Sequence, residues 1–260
     1  MSADAADPDR LDVLALAPHP DDLEIVCGGT LAKLVKQGYR VGIIDLTSGE
    51  PTPRGSEETR AREAEAARNI LGVPFRKNLN LPNRILMDSA ENRYAVATEL
   101  RRYRPGVVIC TSGRTPAASP DHHQAHMLLE AARFHAQLTK WNDRFGGTEP
   151  YRVPMLVYAP FPFDAEQRSY HGTFVIDISD TFEQKLAAIR CYQSQFDGER
   201  FDKVKHFITG YNIVQGGRCG FEYGEFFALP HPVGGSDLFS VVRGAKPSRS
   251  AVVLAEQAPR

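Results

Sequence analysis

The sequence carries almost no excess charge: 31 Lys and Arg stand against 32 Asp and Glu, a formal net charge of −1 at pH 7. It has no basic stripe and no DNA or RNA motif, so nothing electrostatic recruits a polyanion, and no nucleic-acid partner is expected. Cysteine is scarce. Cys27, Cys110, Cys191 and Cys219 are scattered, without a CxxC pair, and three of them sit in or beside apolar runs. They read as buried free thiols in a reducing cytoplasm. No apolar run approaches the roughly 18 residues of a membrane span. The start, MSADAADPDR, is acidic and polar, whereas a signal peptide needs a basic start and an apolar middle. A cytoplasmic protein with no membrane partner is the expectation. There is no internal repeat, and CGG at 27–29 lacks the GxGxxG of a nucleotide loop.

What remains is an ordinary globular composition, 42% apolar and 24% charged over 260 residues, enough for one large α/β domain or two small ones. Short apolar runs at 11–17, 40–47, 76–81, 106–112, 154–160 and 173–179 read as strands, several of them buried on both faces. Helical patterns lie between them, at 30–38, 55–72, 91–105, 122–140 and 180–196. Ser56 suits an N-cap and Gly72 a C-terminal stop. This alternation predicts βαβ units, hence a Rossmann-like α/β fold with a mostly parallel sheet and helices on both faces. Residues 1–10 read as a loose tail, 11–235 as the domain and 236–260 as a C-terminal extension.

Two polar clusters interrupt the pattern. PHPDD (18–22) follows the first strand directly; SPDHHQAH (119–126) follows the fourth and opens a helix. In an open α/β sheet the first and fourth strands are often neighbours where the strand order reverses, and ligands bind outside the carboxyl ends at that point. The clusters are therefore expected to meet. His19, Asp22 and His122 together make a two-His, one-carboxylate set, the composition of a catalytic zinc site whose fourth position holds water. Fe(II), Co(II) or Mn(II) suit the same donors. Asp21, beside the ligand Asp22, is placed as general base, and Asp121 as the group that holds an imidazole from behind. Gly28 and Gly29 are expected to let the backbone pass close to the site.

At these residues the sequence resembles the PIG-L/LmbE-like N-acetylglucosaminyl deacetylases. PHPDDLE followed by GGTLAKLVKQG is similar to their AHPDDE signature, and SPDH to their HPDH. DLTSGEPTPRGSEETRAREAEAA is similar to their Thr-x-Gly-Glu and Arg-x-x-Glu region. FVIDISDTFEQKLAAIRCYQSQF and GFEYGEFF resemble the bacillithiol-biosynthesis branch. The resemblance covers about residues 11 to 235. It implies one zinc ion per chain held by His19, Asp22 and His122, with Asp21 as base and Asp121 as a catalytic aspartate. The implied reaction is deacetylation of an N-acetylglucosamine derivative such as N-acetylglucosaminyl-malate, by a homo-oligomer (trimer or hexamer). One position departs from the pattern: Ser119 stands where the family usually has a histidine, and serine cannot carry a positive charge. His123 and His126 are the nearest substitutes. His126 lies four residues after His122 on the same helix face, as a group behind the site or a core residue. Glu50 and Arg54, after the second strand, are candidate sugar-binding residues with Ser119 and His126. A guanidinium at Arg54 suits a carboxylate or hydroxyls. Arg60 and Glu63 follow, either in the site or as an ion pair, and Tyr211, Glu222 and Tyr223 are weaker candidates. Two other readings stay open: hydrolysis of a different amide, and a homologue that binds metal or sugar without turnover.

Overall fold

In a computed structural model of the chain, residues 9–164, 170, 172–232 and 234–236 are described. The expected tail and C-terminal extension therefore lie almost wholly outside the described residues. The elements run β1 (Val13–Ala17), α1 (Asp22–Lys36), β2 (Val41–Thr47), α2 (Glu57–Leu71), β3 (Phe75–Leu81), α3 (Ala90–Tyr103), β4 (Val107–Ser112) and α4 (Asp121–Ala136). A short 3-10 turn (Asn142–Phe145) precedes β5 (Met155–Pro160), β6 (Gly172–Asp177), α5 (Phe182–Arg190), α6 (Gly198–Gly217) and β7 (Gly224–Leu229). The seven strands lie in the order β3-β2-β1-β4-β5-β7-β6. β7 pairs antiparallel with both β5 and β6, and the other pairings are parallel.

β1 shows why the sheet is covered on both faces. Successive side chains of a strand point to opposite sides. Leu14 and Leu16 pack with Val96, Leu100, Leu128 and Leu129 of α3 and α4. Val13, Ala15 and Ala17 pack with Leu23, Val26 and Leu31 of α1, and with Ala64 and Leu71 of α2. This accounts for the uninterrupted apolar run in the sequence, which is the mark of a strand with helices on both sides. The predicted caps of α2 form: Ser56 Oγ accepts from the Thr59 N–H at 3.2 Å, and Gly72 turns out of the helix at φ 73°.

Three local expectations need correction. α1 begins at Asp22, not near residue 30, and passes through Gly28 and Gly29 with an irregular turn at Cys27 (φ −145°). The glycines serve packing: a Cβ on Gly29 would lie 2.9 Å from Ile178, and one on Gly28 would touch Lys185. Their low helix propensity masks the helix in the sequence. It is compensated from a distance, because the buried Glu225 on β7 accepts the Gly29 and Thr30 N–H groups at 3.0 and 2.7 Å. Lys185 pairs with the same carboxylate at 2.6 Å. Next, α5 stops at Arg190, and 191–196 folds back as a loop; Glu63 holds it by accepting from the Ser194 N–H and Oγ–H at 2.7 and 2.6 Å. Last, the 20-residue α6 has no counterpart among the expected helices. It packs backbone to backbone on β7, where a Cβ on Gly216 would lie 2.8 Å from the Gly224 nitrogen.

Candidate active site

β1 and β4 are adjacent and parallel, with Val13 opposite Val107, so their carboxyl ends deliver the two polar clusters to one place. The 18–20 turn is tied to β2: the backbone N–H and hydroxyl of Thr47 both donate to the Pro18 carbonyl at 2.9 Å. Asp21 then takes φ 108°, ψ −29°, an unfavourable conformation for a residue with a Cβ, before α1 starts. Such backbone costs about 1–3 kcal/mol and persists only where neighbours hold it. Here Arg60 of α2, itself buried, donates to the Pro20 carbonyl at 2.6 Å and to Asp21 Oδ2 at 3.3 Å. The strain turns two adjacent carboxylates to different tasks, Asp22 toward the histidines and Asp21 toward Arg60.

His19, Asp22 and His122 offer ligand atoms that all lie within 4.8 Å of one another. His19 Nδ1 is 3.2 Å from Asp22 Oδ2, and His122 Nε2 is 3.5 Å from Asp22 Oδ1. Tetrahedral zinc, with bonds of about 2.0–2.2 Å, sets its ligand atoms about 3.3–3.6 Å apart. The two distances to Asp22 are close to this spacing and the 4.8 Å span of the set exceeds it, so the donors fit such an ion once they draw together around it. Each imidazole is held from behind at its other nitrogen. His19 Nε2 is 3.2 Å from Asp121 Oδ2, and His122 Nδ1 is 2.9 Å from the Thr115 hydroxyl. Outward partners of this kind fix ring orientation and tautomer at metal sites. Asp121 also accepts the Arg84 N–H at 2.6 Å and the Leu86 N–H at 3.2 Å, which pins the 82–89 loop over the site. His122 lies flat on Phe161, ring centroids 4.2 Å apart.

The electrostatics follow from burial and crowding. Burial would lower the His19 pKa, but its hydrogen bonds to Asp121 and Asp22 outweigh this and raise it to about 10. Burial pushes the Asp21 carboxyl up to about 7, with Arg60 pulling the other way. Asp22 stays well below the ordinary carboxylate range despite its burial, because His122 and His19 stabilise its charge. Asp121 is also lowered: burial opposes the shift, and the bonds from His19 and the Arg84 and Leu86 amides prevail.

The cleft over these residues encloses about 340 Å³; His19, Asp21, Asp22, Arg60, Ser119 and His122 line it. Ser119 is thus at the site, its Oγ accepting from the Asp121 N–H at 3.3 Å. Asp121 lies behind His19 and does not line the cleft. Glu50 is buried beside it, accepting from the Thr52 hydroxyl at 2.9 Å, with Arg60 Nε 3.9 Å away. Arg54 is half-exposed and pairs with Asp197 at the surface. His126 packs edge-on against Tyr158, 4.0 Å from Glu130, and like His123 is not among the lining residues. The helix puts it on the His122 side but one turn further along α4. Tyr223 stacks on Phe182 as a packed aromatic. Sequence reasoning missed Thr115, Asn83 and Arg84. Nothing marks Thr115 in particular, and the latter two lie in a loop with no motif. It also missed the buried network beneath α1. There Arg76 meets Asp45 at 2.7 and 2.8 Å and Glu24 at 2.6 Å, and Glu24 also accepts from Tyr192.

The fold and site define an open α/β protein with a two-His, one-carboxylate centre at its switch point. The family profile of PIG-L, GlcNAc-PI de-N-acetylase, matches residues 14–133, which span both clusters. The diacetylchitobiose deacetylase of Thermococcus kodakarensis is 30% identical over 224 residues, 82% of this chain and 80% of that protein. The 4-oxalmesaconate hydratase of Pseudomonas putida is 29% identical over 198 residues, 70% and 73% of the two chains. Among solved structures, a conserved protein from Thermus thermophilus superposes with a TM-score of 0.74 at 37% identity, covering 86% of this chain and 97% of that one. The chain belongs to the PIG-L family. Among the described residues, no helix is long and apolar enough to cross a membrane.

Proposed function

We propose that this protein is a metal-dependent hydrolase that removes the acetyl group from an N-acetylated amino sugar, with zinc at His19, Asp22 and His122. The observation that carries the reading is the convergence of His19 Nδ1, Asp22 and His122 Nε2 in one cleft with Asp21 beside them. A divalent cation bound there supplies Lewis acidity for an amide carbonyl and lowers the pKa of a water. The protein supplies the rest. Asp121 and Thr115 hold the two imidazoles so that their free nitrogens converge. Asp21, fixed by Arg60, takes the proton from the attacking water. The Ser119 hydroxyl is able to donate a hydrogen bond to the substrate but cannot act as an acid at neutral pH, so Asp21 also returns the proton to the departing amine. Acetate and the free amine leave. Thr52, Asn83, Arg84 and Gln195 line the same cleft and suit sugar hydroxyls.

The test is acetate release from N-acetylglucosamine and from N-acetylglucosaminyl-malate by protein of measured metal content. Release by the native protein is expected. The Asp21→Asn variant should keep its metal and lose turnover by about 10²–10⁴-fold, the usual worth of a positioned base. Asparagine tolerates positive φ, so the backbone is preserved. A fully active variant sinks the assignment. The likeness to a hydratase favours a second reading, water addition to an activated double bond at the same centre. Loss of ultraviolet absorbance from an unsaturated tricarboxylate, with no acetate from any amide, would select it.

A further inference from the structure

The floor of the cleft is polar, but part of its wall is not. Ile25 of α1, Phe163 after β5, Phe196 after α5, and Val204, Phe207 and Ile208 of α6 line it. The three on α6 are spaced i, i+3, i+4 and so share one face of the helix. Ile25, Phe196, Val204 and Ile208 belong to a single packed apolar cluster, which makes the wall continuous with a small core. Phe163 brings it up to the reacting centre, its ring 6.4 Å from that of His122. Phe163 and Phe207 are 44% and 47% exposed.

The substrate of the proposed reaction does not use such a wall unless it carries more than sugar and acetyl. An acetyl group offers one methyl. A pyranose ring stacks one apolar face on one aromatic ring. Two exposed aromatic rings, Phe163 and Phe207, backed by the half-buried Ile25, Phe196 and Val204 and the buried Ile208, exceed both. Resting on the deacetylase reading, we infer that the substrate is an N-acylated amino sugar bearing an apolar group of several carbons that lies against Phe163 and Phe207. That group is an alkyl or aryl aglycone or a longer acyl chain; the chemistry recognised is the same. A charged aglycone such as malate would gain nothing from this wall.

The test compares kcat/KM for the methyl and hexyl glycosides of N-acetylglucosamine, for methyl N-hexanoyl-glucosaminide, and for diacetylchitobiose. A buried methylene is worth about fourfold in binding, so one of the two hexyl-type compounds should exceed the methyl N-acetyl compound by about tenfold or more. The better one identifies whether aglycone or acyl chain meets the wall. Phe207→Ser should bring that ratio below about threefold. Val214→Ser, 61% exposed on the same helix and outside the cleft, should keep it. A ratio near one in the native protein overturns the inference, as does a clear preference for diacetylchitobiose over both hexyl-type compounds. Should no glucosaminide be turned over, the deacetylase reading fails. Calorimetric binding of the methyl and hexyl glycosides then decides: tighter hexyl binding that Phe207→Ser abolishes sustains the wall, and equal affinities refute it.

Discussion

On the mechanism proposed above, Asp121→Asn is the most informative single change, because it separates a group assigned to position a ligand from one assigned to react. The carboxylate's two oxygens serve three donors: His19 Nε2 at 3.2 Å, the Arg84 N–H at 2.6 Å and the Leu86 N–H at 3.2 Å. Asparagine has one acceptor oxygen. With that oxygen facing His19 and Arg84, its amide nitrogen confronts the Leu86 N–H, and one buried donor loses its partner. That costs about 1–3 kcal/mol of stability. His19 also loses the negative charge behind it, and loss of such a partner weakens metal binding by about 10–100-fold, or about 1.4–2.7 kcal/mol. Competition against a chromophoric chelator reads the metal Kd directly. Thr115→Val, which removes only the neutral 2.9 Å contact to His122, should fall at the lower end of that range. With metal in saturating excess, Asp121→Asn should recover kcat to within about tenfold, because the group acts through His19. An unchanged metal Kd, or a kcat loss as deep as that of Asp21→Asn under saturating metal, would falsify this division of roles.

Three other expectations concern the scaffold. Glu225→Gln leaves Lys185 charged and buried and loosens the start of the second half of α1. It should cost about 3–5 kcal/mol in urea unfolding, with much of the loss recovered in the Glu225→Gln, Lys185→Met double variant; additive losses would refute the coupling. Gly29→Ala forces a methyl to within 2.9 Å of Ile178, and should lower stability by about 1–3 kcal/mol. A neutral result would mean that α1 is not held as tightly against the β6–α5 connection. Cys27 and Cys110 are fully buried, and burial raises both thiols. Alkylation of the native protein near pH 8 should therefore reach Cys191 and Cys219 first, and equal labelling of all four would contradict that burial.

Between sequence and structure the division is physical. Whatever depends on local pattern is readable in the chain. β1 is legible because a strand covered on both faces is apolar along its length, and β2 reads the same way apart from Asp45, which Arg76 pairs, and Thr47 at its end. The bounds of α2 are legible because Ser56 and Gly72 satisfy its ends by short-range chemistry. The placement of PHPDD and SPDHHQAH at strand ends follows from the same pattern, and the parallel topology then makes their meeting predictable. Elements whose stability comes from elsewhere are not legible. α1 across Gly28 and Gly29 exists because Glu225, on a strand far along the chain, takes the amides that its glycines leave poorly held. α6 carries Gly216, which no local rule favours, because its backbone there must touch Gly224 of β7. The same division runs through the site. Residue type and spacing single out His19, Asp21, Asp22 and His122, but the backs of the two imidazoles go to Thr115 and Asp121 only through tertiary packing. That packing also buries Arg60 against Asp21, withdraws Arg54 and His126 from the cleft, and sets Phe163 and Phe207 along its wall. A side chain's chemistry is written in its identity, whereas its partners are set by the packing of segments distant in the chain.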